Sequence, residues 1–184
     1  MVASIKHTLV ALVEDKPGVL NRVASLFRRR AFNIESIAVG HSEIAGLSRM
    51  TIVVDGANTA VEQVEKQLYK LVDVVKVTDI TAESMVAREL ALVKVSATSA
   101  TRSEILQIVD IFRANIVDVA TDSVMVEVTG DENKIDSLLD LLKGFGIREL
   151  VRTGRVAMVR GTGGGSPIDE ESVQKITKRR KKQG

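Results

Sequence analysis

The most informative stretch of the chain is Glu14-Asp15-Lys16-Pro17-Gly18-Val19-Leu20, a short polar turn between two apolar segments. Residues 9–13, just before it, form a continuous apolar run, which predicts a strand covered on both faces. Beyond the turn, apolar residues recur at the spacing i, i+3, i+4 and i+7, which predicts a helix with one buried stripe. The members of this stripe are Leu20, Val23, Ala24 and Phe27.

A strand-to-helix turn of this composition can bind a small ligand. Pro17 is compatible with the start of a helix, and Gly18 beside it leaves the backbone uncovered. Free N–H groups at a helix start, together with the helix dipole, favour a carboxylate or phosphate. Asp15 at the rim can hold a cation, so the turn offers partners for both ends of a free α-amino acid. The alternative is a Pro-Gly turn in which Asp15 caps the helix and binds nothing.

Residues 1–80 contain predicted elements in the order strand, helix, strand, strand, helix, strand. This is the order of the ferredoxin-like split βαβ unit. The second helix begins at a capping box, Thr59-x-x-Glu62, and its stripe is Val61, Val64, Leu68 and Leu71. The strands are predicted at 5–13, 33–39, 48–54 and 74–80, and the first helix at 19–30.

Residues 81–160 repeat the same order with a different sequence, which predicts an α+β protein with two tandem ferredoxin-like domains. Thr101-x-x-Glu104 is a capping box for the first helix of this domain, and Asp131 opens the second. Thr98-Ser99-Ala100-Thr101 takes the place of the Asp-x-Pro-Gly turn, so we expect no equivalent pocket. Strands are predicted at 90–97, 115–120, 123–129, 147–152 and 155–159, with helix stripes Ile105, Ile108, Val109, Phe112 and Ile135, Leu138, Leu139, Leu142.

Charge is distributed unevenly along the chain. Its 184 residues include 26 Lys or Arg and 24 Asp or Glu, of which residues 161–184 hold six basic and three acidic ones. The body is therefore nearly neutral and only the C-terminal segment is basic. That segment begins with a Gly-rich linker, 161–166, which lacks the Lys-Ser/Thr ending of a P-loop. We consider two interpretations of it, a disordered solubilising tail and a segment that docks on an acidic partner surface.

Composition disfavours several classes of function. The chain has no cysteine, so neither a disulfide framework nor a Cys-ligated metal site is available. No stretch approaches the roughly 18 apolar residues of a membrane span, and the start lacks a secretory signal. We therefore expect a cytoplasmic protein, or a plastid protein after removal of a transit peptide. Aromatic residues are scarce, which argues against stacking on single-stranded nucleic acid.

The sequence contains no convincing catalytic apparatus. The only histidines, His7 and His41, have no triad-like arrangement with serine and carboxylate, and no His-x-x-x-His or acidic cluster suggests a metal site. We expect His7, at a strand start, and His41, in a loop, to be structural or exposed. Glu14 and Asp15 should point to different sides and make a poor acid–base pair. The triplet Arg28-Arg29-Arg30 is interpreted as a solvated helix end rather than a nucleic-acid patch.

Six blocks of sequence together resemble a known family. The first unit is similar to an ACT domain, and the blocks resemble the regulatory (small) subunit of acetolactate synthase, also called acetohydroxyacid synthase. The first block, residues 7–23, includes the turn described above. The others are Phe32-Asn33-Ile34-Glu35-Ser36, Leu47-Ser48-Arg49-Met50-Thr51-Ile52, and residues 63–74, 89–95 and 111–114. The resemblance covers about residues 4–160 and does not extend to the tail.

The resemblance implies a non-catalytic chain that binds and activates a large catalytic subunit and relays feedback inhibition by branched-chain amino acids, usually valine. It implies no cofactor in this chain, with thiamine diphosphate, Mg and FAD on the catalytic subunit. It also implies a homodimer through the ACT domain, with effector pockets at the seam, and neither a nucleic-acid nor a membrane partner. Carried onto this sequence, each pocket combines Asn33 and Ile34 of one chain with the turn of its mate, Asp15, Lys16, Pro17, Gly18, Val19 and Leu20.

Two other classes of function are tested against this interpretation. One is an RNA-binding protein that uses paired βαβ units and the basic tail. The other is a free-standing enzyme.

In the leading interpretation, the N–H groups of Gly18, Val19 and Leu20 receive the ligand carboxylate, Asp15 receives its ammonium group, and Asn33 bridges either.

Overall fold

A computed structural model of the protein describes residues 6–56 and 58–161, without the side chains of residues 58–60. The chain divides into two compact units, one comprising Ala87–Val156 and the other the residues on either side of it. The predicted features at Ile5, at the side chain of Thr59 and in the tail from 162 to 184 lie outside the described residues. No helix in the described ranges is long and apolar enough to cross a membrane.

The first unit has the predicted βαββαβ order. Its four strands form one antiparallel sheet in the order β2-β3-β1-β4, so β1 is central and β2 lies at an edge. The predicted and observed boundaries of the four strands and of the first helix agree within two residues. The elements are β1 Lys6–Glu14, α1 Val19–Arg29, β2 Ile34–His41, β3 Leu47–Asp55, α2 Asn58–Leu68 and β4 Val74–Asp79.

The run of residues 9–13 is fully buried on both faces of the sheet, as predicted. Leu9, Ala11 and Val13 belong to the main apolar core with the buried side chains of α1 and α2. Leu12, on the alternate face, belongs to a smaller cluster with Leu47 and Val75. Burial on both sides explains why this strand lacks the polar alternation of a half-exposed strand.

The predicted stripe of α1 was partly wrong. Val23 and Phe27 are buried as expected, but Leu20 is 48% exposed and Ala24 is exposed. The helix begins at Val19, and its buried residues are Val19, Val23, Leu26 and Phe27. The apolar face therefore starts one position earlier than predicted, at the spacing i, i+4, i+7 and i+8 of a 3.6-residue period. The predicted stripe of α2 is confirmed for Val61, Val64 and Leu68, which are buried. Leu71 packs against the same core but lies beyond the end of the helix at Leu68.

α1 ends in a Schellman motif. The N–H of Phe32 donates to the carbonyl of Phe27 at 3.1 Å, and the N–H of Ala31 donates to that of Arg28 at 3.1 Å. Ala31 has a φ of 55°, a left-handed conformation that is unfavourable for any residue with a Cβ. The motif satisfies the last carbonyls of the helix at the expense of this local strain.

Ala31→Gly is therefore expected to raise the free energy of unfolding by about 0.5 to 1 kcal/mol, because glycine adopts this conformation freely. Urea denaturation followed by circular dichroism measures the change. Ala24→Gly is the matched control, since Ala24 is exposed within the same helix and glycine there should destabilise by about 1 kcal/mol. If both variants lowered the free energy of unfolding, the conformation of Ala31 would not be a source of strain.

The second unit repeats the order and forms a sheet in the order β6-β7-β5-β8. β5 begins five residues before the predicted start at Leu90. A short 3₁₀ helix, Lys143–Phe145, follows α4. The elements along this part of the chain are β5 Met85–Ser96, α3 Arg102–Ile111, β6 Asn115–Val119, β7 Ser123–Gly130, α4 Glu132–Leu142 and β8 Ile147–Arg152. The last strand, β9 Val156–Val159, belongs to the first unit except for Val156.

The two predicted helix starts of this unit differ in outcome. Asp131 caps α4 as predicted, since its Oδ1 accepts from the N–H of Lys134 at 2.9 Å. Thr101 is the N-cap of α3, but its side chain makes no cap hydrogen bond, so the predicted capping box is wrong. Its backbone is already helical, with φ −95° and ψ −15°, whereas a capping residue is normally extended. The hydroxyl instead accepts from the N–H of Thr98 at 3.0 Å.

A hydrogen bond between the side chains of His7 and Asp79 joins β1 to β4. His7 is buried, as a structural histidine, and its Nδ1 lies 2.9 Å from Asp79 Oδ2. The backbone N–H and the hydroxyl of Thr81 both donate to the other oxygen of Asp79. Burial raises the pKa of Asp79, but the hydrogen bonds from Thr81 and His7 outweigh it and hold this pKa below its usual value.

This lowered pKa makes the stability of the first unit sensitive to acid. A depressed pKa in the folded state adds stability above the unfolded-state pKa of about 3.9, and that stability is lost as pH falls through the folded value. Urea denaturation at pH 6 and pH 3 should show a smaller loss of stability for Asp79→Asn than for the natural chain. An unchanged pH dependence in this variant would show that other groups control acid unfolding.

Candidate functional site

The turn between β1 and α1 is open on one side. Gly18 is the N-cap of α1 and has a φ of 86°, a conformation that favours glycine. A Cβ built at this position meets no atom within 4 Å. Pro17 lies just before the cap rather than in the first helical turn. The backbone of α1 can therefore be approached by a ligand at this end.

The start of α1 presents backbone N–H groups without partners. No side chain of the described residues caps this helix, and in the same ranges the N–H groups of Gly18 and Leu20 have no acceptor. The N–H of Val19 makes only a long contact, 3.4 Å, with the carbonyl of Lys16. These groups lie at the positive end of the helix dipole. The geometry suits a carboxylate or phosphate oxygen.

Asp15 does not cap the helix, so the alternative interpretation of the turn is wrong on this point. Its N–H donates to the carbonyl of Gly46 at 3.0 Å, and its carboxylate, with a side chain 46% exposed, lies 3.2 Å from Nδ1 of His41. His41 is exposed as expected, but it ends β2 instead of lying in a loop. The carboxylate lies at the rim of the turn, where a ligand cation can reach it.

Glu14 and Asp15 have separate partners, in agreement with the prediction that they do not act together. The ammonium group of Lys16 lies 2.6 Å from Glu14 Oε2. Glu14 is therefore neutralised within the turn, and Lys16 is engaged there as well. Asp15 is the carboxylate of this turn that faces His41.

The interactions of Asp73 with both β1 and α1 were not predicted from the sequence. The guanidinium of Arg22, one turn into α1, forms an ion pair with the buried Asp73. The carbonyl of Asp73 also accepts from the N–H of Glu14 at 2.8 Å. Asp73 thus fixes both the end of β1 and the first turn of α1. Because Arg22 and Asp73 are 51 positions apart, no local sequence pattern indicates the contact.

Asn33 and Ile34 lie at the other end of the sheet from this turn. Ile34 and His7 are both opposite Val54 of β3, whereas Glu14 is opposite Leu47. The length of β1 separates the two ends by roughly 26 Å at 3.3 Å per residue. Asn33 therefore cannot reach the turn of its own chain.

In the corresponding strand-to-helix turn of the second unit, polar groups are hydrogen-bonded to one another. Thr98 and Thr101 are joined through their hydroxyl groups at 3.1 Å, and the N–H of Thr98 donates to Thr101. This agrees with the expectation that the second unit has no equivalent pocket.

A separate cavity of about 350 Å³ in the first unit contains none of the predicted site residues and is lined by Leu26, Arg29, Arg30, Gln67, Lys70 and Leu71.

Comparison with known proteins gives the family of the chain. A family model described as the small subunit of acetolactate synthase matches residues 88–161, and one described as the AHAS small subunit-like ACT domain matches residues 9–76. The chain is 54% identical to the acetolactate synthase small subunit of Bacillus subtilis, over 86% of this chain and 92% of the relative. It is 53% identical to that of Mycobacterium leprae, over 89% and 97% of the two chains.

A solved structure supports the same assignment. The crystal structure of the acetolactate synthase small subunit from Thermotoga maritima matches with a TM-score of 0.80 and 46% identity, over 86% of this chain and 99% of that one. An ACT domain within a small subunit supports a regulatory rather than a catalytic role. The chain therefore belongs to the acetolactate synthase small-subunit family.

Proposed function

We propose that the chain activates a large catalytic acetolactate synthase subunit and confers feedback inhibition by a branched-chain amino acid, valine above all. The observation that carries this proposal is the open turn, where the N–H groups of Gly18 and Leu20 lack acceptors among the described residues and the carboxylate of Asp15 lies at the rim. A zwitterionic amino acid matches this arrangement. Thiamine diphosphate, Mg and FAD are assigned to the catalytic subunit and none of them to this chain.

The expected affinity follows from these contacts. A charge-assisted hydrogen bond contributes roughly 1.5 to 3 kcal/mol, and burial of an isopropyl group adds about 1.5 to 3 kcal/mol. After the costs of association, a dissociation constant between about 1 μM and 1 mM is reasonable. Because one methylene changes binding by only about 1 to 3 kcal/mol, valine, leucine and isoleucine should be poorly separated.

The proposed site needs a second copy of the chain. β2 is an edge strand of its sheet within the described residues, so its outer edge can pair with another strand. If β2 pairs antiparallel with β2 of a second copy, the start of one strand lies beside the end of the other. Ile34 of the partner would then lie near His41, which contacts Asp15. This pairing supports a homodimer in which Asn33 and Ile34 of one chain complete the turn of the other.

Feedback inhibition requires that the effector bind two arrangements of the dimer unequally. In this proposal, only one arrangement supports the catalytic partner, and valine stabilises the other. Since the effector would contact both chains, a small shift at the turn changes how the two chains meet.

Calorimetric titration of the purified chain with valine, leucine and isoleucine, followed by assay with its large subunit, tests the proposal. We expect saturable binding with about one site per chain, and inhibition of acetolactate formation by the same amino acids. Absence of binding for all three would overturn the effector assignment. Acetolactate formation by the chain alone would support the free-standing enzyme instead, and we expect none.

The RNA-binding alternative depends on the basic tail, which lies outside the described residues. A salt-dependent gel shift that is lost on deletion of residues 161–184 would favour it. If no gel shift with RNA is seen at low salt, the RNA-binding alternative is wrong.

A further inference from the structure

The imidazole of His41 occupies the place where a ligand cation would meet the turn. His41 Nδ1 lies 3.2 Å from Asp15 Oδ2, and its side chain is 87% exposed. Asp15 is the carboxylate that the proposed function assigns to the ammonium group of the effector. The same carboxylate oxygen thus already has a basic partner within the protein, one that carries a positive charge only when it is protonated.

We infer that His41 is a further residue of the effector site, one that holds Asp15 in the free protein and yields it to the ammonium group of the amino acid. This inference rests on the function proposed above. His41 lies at the proposed dimer interface, because it is the last residue of the edge strand β2. In an antiparallel β2–β2 pairing, this end of the strand lies beside the start of β2 of the partner. Its position lets it contact both the ligand and the second chain.

The exchange at Asp15 predicts a dependence on pH. Imidazole side chains change charge between pH 5 and 8, and the charged form competes with an ammonium group for the carboxylate more strongly than the neutral form does. Other charged groups near this end of the site are Glu14 and Lys16 of the turn, the ion pair of Arg22 with Asp73, Glu43 after β2, and Arg49 on β3 opposite Gly40. Carboxylate, ammonium and guanidinium groups ordinarily titrate outside this range.

The exchange also predicts which ligands are affected. Valine must displace the imidazolium from Asp15, so its affinity should fall as His41 becomes charged. The deamino analogue 3-methylbutanoate has the same carboxylate and isopropyl group but no ammonium group. Its binding does not require Asp15, and its affinity should not fall in acid.

Calorimetric titrations of the full chain at pH 8.0 and pH 5.5, with valine and with 3-methylbutanoate, test the inference. We expect valine to bind about threefold more weakly at pH 5.5, within the range of about 1.4- to 5-fold that corresponds to an exposed ion pair. Valine binding should also release protons, detected as a dependence of the heat on the ionisation enthalpy of the buffer. The affinity for 3-methylbutanoate should be equal or greater at pH 5.5.

His41→Gln is the variant that separates the possible outcomes. Its side chain is exposed, so the fold should persist, and the valine affinity should become equal at the two pH values. A pH dependence that persists in His41→Gln, or equal valine affinity at both pH values in the natural chain, would overturn the role of His41. Absence of valine binding at pH 8.0 would instead overturn the proposed function, which distinguishes the two failures.

Discussion

Gly18→Asp is expected to abolish inhibition by valine while activation of the large subunit persists. The new carboxylate would lie beside the free N–H groups of α1, where the ligand carboxylate belongs, and it would repel a second negative charge. Loss of two charge-assisted hydrogen bonds, at roughly 1.5 kcal/mol or more each, weakens binding by at least about 100-fold. Acetolactate formation by the reconstituted complex, measured across a valine titration, gives the result directly.

This variant should remain folded. A Cβ at Gly18 meets open space, and aspartate tolerates a positive φ better than most residues, so the cost should be about 1 kcal/mol. Gly144→Asp is the matched control, because it introduces the same charge at another open glycine, in the second unit. It should leave valine sensitivity unchanged. Full valine inhibition in Gly18→Asp would refute the assigned pocket.

The order of elements could be predicted because strong local signals mark each of them. The apolar run of residues 9–13 has the length of a buried strand, and the Pro17-Gly18 turn separates it from a helix. Asp131 caps its helix through a contact with Lys134, only three residues away. Such features depend on neighbours in sequence, so composition and spacing are sufficient to find them.

Other features depend on exact backbone geometry or on contacts between distant residues. The predicted stripe of α1 differs from the observed one because Leu20 fits the apolar spacing but is exposed. Which residues face the core depends on the residue at which the helix begins, Val19. Thr101 fits a capping box, yet its hydroxyl bonds to Thr98, where local turn geometry competes with the helix. The contact between Arg22 and Asp73 joins residues of separate elements and leaves no periodic signal.

The candidate site was predictable in part for the same reason. The turn itself is local, and its free N–H groups follow from a glycine at the helix start. The partnership of Asp15 with His41 depends instead on the register of the sheet, which brings the end of β2 beside the end of β1 through β3. Assignment of Asn33 to a second chain came from family resemblance, and the separation of the two ends of the sheet gives it a physical reason.

The second unit contains an ionic network around one buried carboxylate, that of Glu89. Glu89 is 7% exposed, and its Oε2 accepts from Nη2 of Arg152 at 2.6 Å and from Nε at 3.1 Å. Arg152 also donates to Asp136 at 2.8 Å. Arg155, at 3.9 Å, is a more distant partner of Glu89. Arg152 is therefore the main group that compensates the buried charge of Glu89.

Arg152→Ala is expected to lower the free energy of unfolding of the second unit by about 3 kcal/mol, because it leaves a buried carboxylate without its main partner. Urea denaturation followed by circular dichroism measures the loss. If the unpaired charge causes it, adding Glu89→Gln to Arg152→Ala should recover a large part of the stability. Arg148→Ala removes an arginine from the same strand, but its partner Asp122 is exposed, so little change is expected. Equal destabilisation by Arg148→Ala and Arg152→Ala would show that burial of Glu89 is not the cause.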